Sequence, residues 1–194
     1  MRRLCVFCGS STGRRTVYAD SARQLGTAFA ARGLGLVYGA GDIGLMGILA
    51  DATLQAGGKV IGVIPQALVD WEVAHEGLTQ RHVVSTMHER KALMADLSDG
   101  FVALPGGYGT ADEFFEVLTW AQLGLHNKPI GLLNTAGYFD PLLAWLDRMV
   151  EEEFLRPEHR RLLLVESDAD HLLEALLAHR PTTSSAKWID AADR

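Results

Sequence analysis

Phe101-Val102-Ala103-Leu104-Pro105-Gly106-Gly107-Tyr108-Gly109-Thr110 decides the fold class of this 194-residue chain. Four apolar residues run without in-out alternation, as in a strand buried on both faces. A proline and three glycines then break the strand. Beyond them Phe114, Val117, Leu118 and Ala121 recur at spacings of three and four, which predicts a helix over 110–124. Strand, glycine turn and helix form the repeating unit of a parallel sheet.

The same unit recurs on both sides. Leu4-Cys5-Val6-Phe7-Cys8 leads into Gly9, and Leu34-Gly35-Leu36-Val37-Tyr38 leads into Gly39. Val60-Ile61-Gly62-Val63-Ile64 ends at Pro65, Ile130-Gly131-Leu132-Leu133 at Asn134, and Leu162-Leu163-Leu164-Val165 at Glu166. Helical periodicity predicts helices over 16–32, 44–56, 86–97, 139–154 and 169–178. Residues 66–85 form the longest irregular stretch, with His82-Val83-Val84 as an extra strand. The alternation implies an α/β fold, a doubly wound parallel sheet flanked by helices, in one domain over 1–179. Residues 180–194 carry no apolar period and are expected to be a flexible tail.

Composition narrows the classes. The chain is 48% hydrophobic and 22% charged, close to the globular norm. A domain of this size buries roughly 70% of its unfolded surface. No run approaches about 18 uninterrupted apolar residues, so no membrane span is expected. Met1-Arg2-Arg3 leads into only a short apolar run, so no secretory signal is expected. The net charge of −6 argues against wrapping nucleic acid. Two cysteines point to a reducing, cytoplasmic setting.

Ligands of open parallel sheets sit beyond the carboxyl ends of the strands, which nominates loops 9–13, 39–44, 65–72 and 105–113. Cys5 and Cys8, three apart on a strand, point to opposite faces and read as core thiols. Gly9-Ser10-Ser11-Thr12-Gly13 matches the G-x-S-x-G elbow of serine hydrolases, but no earlier strand-helix loop exists to supply an oxyanion hole. It reads instead as a small-residue loop approached by a ligand. Gly39-Ala40-Gly41-Asp42-Ile43-Gly44 matches G-x-G-x-x-G, yet the acid that would hold a dinucleotide ribose is missing where the next strand ends, Ile64-Pro65-Gln66. It reads as a turn that packs helix 44–56 and lines a nucleotide pocket.

Loop 105–113 carries the chemistry. Consecutive glycines let backbone N–H groups turn toward an anion, and Thr110 adds a hydroxyl at a helix start. The Gly-Lys-Thr ending of a Walker loop is absent. Two readings stand at Thr110-x-x-Glu113: a phosphate cradle beside a working acid, or a capping box in which Glu113 only bonds back to the backbone. Asp112, Glu113 and Glu116 crowd one helix entrance, so some acid there must do something other than bind phosphate. Met87-His88-Glu89-Arg90-Lys91 opens another helix; its basic pair either holds a phosphate or sugar or is a solvated helix start. The seven histidines show no metal spacing, and no metal is expected.

Pro105-Gly106-Gly107-Tyr108-Gly109-Thr110-Ala111-Asp112-Glu113 and Met87-His88-Glu89-Arg90-Lys91 together resemble the Lonely Guy family, cytokinin riboside 5′-monophosphate phosphoribohydrolases once mislabelled lysine decarboxylases. Val6-Phe7-Cys8-Gly9-Ser10-Ser11, Gly44-Leu45-Met46-Gly47, Glu72-Val73-Ala74-His75 and Thr119-Trp120-Ala121-Gln122-Leu123-Gly124 extend the resemblance over about residues 3–178. It implies a Rossmann-like homodimer that cleaves the N-glycosidic bond of purine nucleoside 5′-monophosphates, giving free base and ribose 5-phosphate. It also implies a catalytic pair, Arg90 and Glu113. Nucleotide contacts are implied at Glu72, Arg90, Lys91, Gly106, Gly107, Tyr108, Gly109, Thr110, Ala111, Asp112, Glu113 and Thr119. No cofactor is implied. The alternative from another class is a non-catalytic nucleotide or molybdenum-cofactor carrier on the same scaffold; Glu113 with Arg90 distinguishes the two, since a carrier has no use for a carboxylate beside C1′. The apolar residues of helix 110–124 also cover more than one stripe of about 100°, which calls for a second partner: either helix 86–97 or helix 139–154 of the same chain or, the reading favoured here, a second copy in a two-fold dimer.

Overall fold

The computed structural model describes residues 1–69 and 74–180. It is an α/β fold of seven parallel strands flanked by helices. In chain order the strands are β1 (Arg3–Phe7), β2 (Gly35–Tyr38), β3 (Val60–Pro65), β4 (Gln80–Val84), β5 (Phe101–Ala103), β6 (Ile130–Leu133) and β7 (Leu163–Glu166). The helices are α1 (Thr16–Ala31), α2 (Gly44–Gln55), α3 (Gln66–Val69), α4 (Met87–Asp96), α5 (Tyr108–Gln122), α6 (Asp140–Glu151), α7 (Pro157–Arg160) and α8 (Ala169–Ala178). The four-residue helices α3 and α7 lie below the length at which periodicity can be read.

The sheet order is β4-β3-β2-β1-β5-β6-β7. The chain winds outward from β1 through β2, β3 and β4, then crosses back to place β5 on the other side of β1. Register pairs Cys5 with Val37 on one side and with Phe101 on the other. The direction of winding therefore reverses between β1 and β5, and the loops leaving those strands must diverge above the sheet. That opens a crevice at the carboxyl edge.

β1, β2, β3, β5 and β6 are buried almost throughout, which explains their continuous apolar runs. β4 is the edge strand and is mostly exposed, so its pattern was weaker. One core cluster joins alternate residues of β1, such as Leu4 and Val6, to α1, α2 and α8. The other joins Cys5 and Phe7 to Met94 of α4, Phe114 and Val117 of α5, and Leu146 of α6. Cys8 belongs to the first cluster and Cys5 to the second, so the two free thiols lie on opposite faces. Among the described residues no helix is long and apolar enough to cross a membrane.

Candidate active site

The loops after β1 and β5 meet at the crevice. Gly9 N–H donates to the Pro105 carbonyl at 3.1 Å, and Leu45 N–H, at the start of α2, donates to the Gly9 carbonyl at 3.0 Å. Residues 9–13 and 105–107, with Tyr18, Leu45 and Tyr138, enclose a cavity of about 320 Å³. Position 106 must be glycine: a Cβ there would overlap the Thr110 hydroxyl and crowd Gly9 N. The Tyr138 hydroxyl donates to the Gly106 carbonyl at 2.5 Å. With that carbonyl tied back, the Gly106–Gly107 peptide is held in one orientation at the head of α5.

α5 begins at Tyr108, two residues before the periodicity placed it, with Gly107 as its N-cap and no side-chain cap. Thr110 therefore lies inside the first turn, not at the cap position. The capping box between Thr110 and Glu113 is not formed, because the glycines let the helix start early. The backbone N–H groups of Tyr108, Gly109 and Thr110 precede the first intrahelical bond, from Ala111 N–H to the Gly107 carbonyl at 3.0 Å. Space beside Gly107 and Gly109 is open. An uncapped, sterically open N-terminus at the cavity edge suits a phosphate.

Arg90 is 7% exposed, in the first turn of α4. Thr86 caps that helix by accepting from Glu89 N–H at 3.1 Å, so the Arg-Lys pair is carried on a fixed start rather than a frayed one. The Arg90 Nη2 donates to the Gly39 carbonyl at 3.0 Å. A Cβ at Gly39 would overlap that nitrogen, so the glycine after β2 makes room for the guanidinium. Arg90 Nε is buried without a hydrogen-bond partner among the described residues, and Nη1 donates to the weakly accepting Met87 sulfur at 3.8 Å. A buried cation with donors to spare is costly unless an anion comes to it.

Glu113 lies one turn into α5 and makes no hydrogen bond or ion pair to a described residue. Burial pushes its carboxyl up to about 7; the charges of Arg90 and Lys91 oppose that rise, while Asp112 and Glu116 add to it. The Cys5 and Cys8 thiols are pushed up by burial and by the charge of Glu113, which removes them as nucleophiles.

The other expected site residues are placed as follows. Lys91 pairs with Asp112 at 3.1 Å and Glu116 at 3.0 Å. Tyr108, Ala111 and Asp112 are exposed at the start of α5. Thr119 is not brought to the glycine-loop cavity. It lies about 9 Å beyond Glu113 along α5 and on another side; its hydroxyl donates to the Phe115 carbonyl at 2.7 Å, and it lines an apolar groove between α5 and α6. Glu72 and, but for Arg180, the expected tail over 180–194 lie outside the described residues. Tyr138 carries no signal in the sequence: it comes from the turn after β6, and no spacing relates it to loop 105–107. Gly39 was singled out only as part of a turn, because its partner Arg90 lies 51 positions away.

Two outcomes follow. Gly39→Ala meets only the movable end of Arg90, so it should shift Tm by less than about 4 °C. It should displace the guanidinium and cut activity about a hundredfold. Glu113→Gln removes a carboxyl whose folded value lies above its unfolded one, so ionisation opposes folding as pH rises through the window from 4.5 to about 7. The variant should match the parent in urea unfolding near pH 4 and exceed it near pH 8. A constant difference across that range would contradict the burial.

Comparison with known proteins identifies the family. Residues 46–176 match the family described as "Possible lysine decarboxylase". The chain is 51% identical over 176 residues to the cytokinin riboside 5′-monophosphate phosphoribohydrolase of Rhodococcoides fascians, covering 90% of this chain and 89% of that one. It is 48% identical over 191 residues to cytokinin riboside 5′-monophosphate phosphoribohydrolase LOG5 of Arabidopsis thaliana, covering 96% and 84%. Among solved structures, the molybdenum cofactor carrier protein of Chlamydomonas reinhardtii superposes with a TM-score of 0.68 over 92% of this chain and 99% of that one, at 22% identity, a likeness of fold. With nearly the whole chain aligned at about half identity, the protein belongs to the cytokinin riboside 5′-monophosphate phosphoribohydrolase family.

Proposed function

We propose that this protein hydrolyses the N-glycosidic bond of purine nucleoside 5′-monophosphates, cytokinin riboside monophosphates and AMP among them, to free base and ribose 5-phosphate. The observation that carries this reading is Glu113: an unbonded carboxyl raised toward neutrality, near the buried, under-bonded Arg90, one turn past an open helix N-terminus.

The phosphate binds where α5 presents its free N–H groups to the cavity, between loops 9–13 and 105–107. That anchor fixes the ribose against Glu113. Departure of the base leaves positive charge on C1′ and the ring oxygen. The ionised Glu113 carboxylate stabilises that charge and takes a proton from the water that attacks C1′; the base leaves with a proton from solvent. An arriving phosphate would push Glu113 further toward its neutral form. Arg90 works against this: its fixed charge favours the carboxylate form, and its free donors bind the ribosyl phosphate. A carrier that only held a nucleotide would gain nothing from a raised carboxyl at this point, and the likeness to molybdenum cofactor carriers extends to fold alone. The buried free thiols Cys5 and Cys8 suit a reducing cytoplasm.

The second half of the reading is a homodimer. Phe114, Val117 and Ala121 bury one side of α5 against the sheet. Its other side, with Phe115 and Leu118, is only partly covered by Trp145 of α6, itself 54% exposed. Leu125, just past the end of α5, and Phe154, just past the end of α6, are 70% and 81% exposed. A second copy packed there would cover this face and would bring a partner surface to Thr119.

The test is direct. Incubated with AMP or isopentenyladenosine monophosphate, the protein should release free base, and Glu113→Gln should release it at least about a hundredfold more slowly. Adenosine should react far more slowly than AMP; equal rates would remove the role of the phosphate cradle. For assembly, light scattering at micromolar concentration should give twice the 21.1 kDa chain mass. A mass near one chain would rule the dimer out.

A further inference from the structure

We propose that Lys91 is a positioning residue: by pairing with both Asp112 and Glu116 it leaves Glu113 as the one unpaired carboxylate at the head of α5 and fixes α4 against α5. This deepens the reading of Glu113 as the working acid and rests on it.

Three acids occupy five consecutive positions of α5. Positions 112 and 116 share one helix face, and 113 is turned about 100° from 112. Unpaired, Asp112 and Glu116 would set two negative charges beside Glu113 and beside any phosphate at the helix N-terminus. Lys91 reaches across from α4 and meets both, at 3.1 and 3.0 Å, with its own side chain only 12% exposed. Burial alone would lower the lysine, but its hydrogen bonds to Glu116 and Asp112 outweigh burial and hold it above its ordinary value. The ammonium is therefore a permanent charge in this site, engaged by protein carboxylates.

The pairing also ties the N-terminal half of α4 to that of α5. Arg90 precedes Lys91, and Glu113 follows Asp112, so the clamp sets the separation of the two groups that face the sugar. The groups acting on Glu113 are Arg90 and Lys91 of α4, Asp112 and Glu116 of α5, and the protonated Cys5 and Cys8 on the β1 side. Of these, only Lys91 bonds to both flanking acids.

A direct substrate contact and a positioning role give different results when kcat/KM on AMP is followed against pH. The comparison uses the parent, Lys91→Met and Lys91→Arg, and Lys91→Met within an Asp112→Asn/Glu116→Gln background. With Lys91 gone, the unshielded Asp112 and Glu116 carboxylates should move the acid limb of Lys91→Met upward by roughly one pH unit. That corresponds to about a tenfold loss at pH 6, with KM within about threefold of the parent. Lys91→Arg should keep the limb in place. In the Asp112→Asn/Glu116→Gln background, Lys91→Met should cost less than about threefold, because the acids it shields are gone. A raised KM, an unmoved limb and an equal cost in both backgrounds would overturn the proposal and make Lys91 a substrate contact. An active, unaltered Lys91→Met would overturn it as well. If the parent released no base, the activity reading would fail on its own; the Glu113 carboxyl titration, read by carbon NMR in the parent and in Lys91→Met, would still decide the pairing.

Discussion

Everything at the candidate site depends on two loops lying in van der Waals contact above the seam between β1 and β5. A parallel sheet that reverses its winding there leaves a crevice at its carboxyl edge, but the crevice becomes a binding site only if the backbone itself forms the walls. The Gly9 N–H to Pro105 carbonyl bond closes the gap, and the absence of a side chain at Gly106 lets Thr110 pack beneath the loop. Any larger residue at position 106 would push the loop off the helix and remove the aligned N–H groups that make the site electropositive. The binding energy available to a phosphate thus traces to backbone geometry, not to a lysine or arginine in the loop.

The second constraint is electrostatic. A helix N-terminus attracts anions, yet this one carries Asp112, Glu113 and Glu116. The structure reconciles the two by dividing the acids. Asp112 and Glu116 are tied to Lys91, while Glu113 bonds to no described residue and sits in a partly buried position where ionisation is costly. Arg90 plays the opposing part: a buried cation held by the Gly39 carbonyl, with donors unused. The pair is poised so that each charge is poorly satisfied until a substrate carrying phosphate and a developing cationic sugar arrives. This is the differential stabilisation that catalysis requires.

Most of the fold was legible because the central strands are buried on both faces and must be apolar throughout, while glycine and proline mark where each one ends. The weakest reading fell on β4, whose edge position exposes it to water and dilutes the pattern. Helix α5 starts two residues before its apolar period does, since Gly107 and Gly109 carry no periodicity. That small shift mattered, because it removed the Thr110–Glu113 capping box and with it the structural role that competed for Glu113.

The sequence by itself determined the parallel α/β class, the glycine loops at the carboxyl edge and the residue types gathered there, because burial period and turn chemistry are local properties of a chain. It also carried the resemblance to a family. Only the tertiary structure decided which charges meet. Lys91 and Asp112 are 21 positions apart and Gly39 and Arg90 are 51; whether an acid is shielded, buried or free depends on how helices from distant segments settle on the sheet, and no local pattern encodes that.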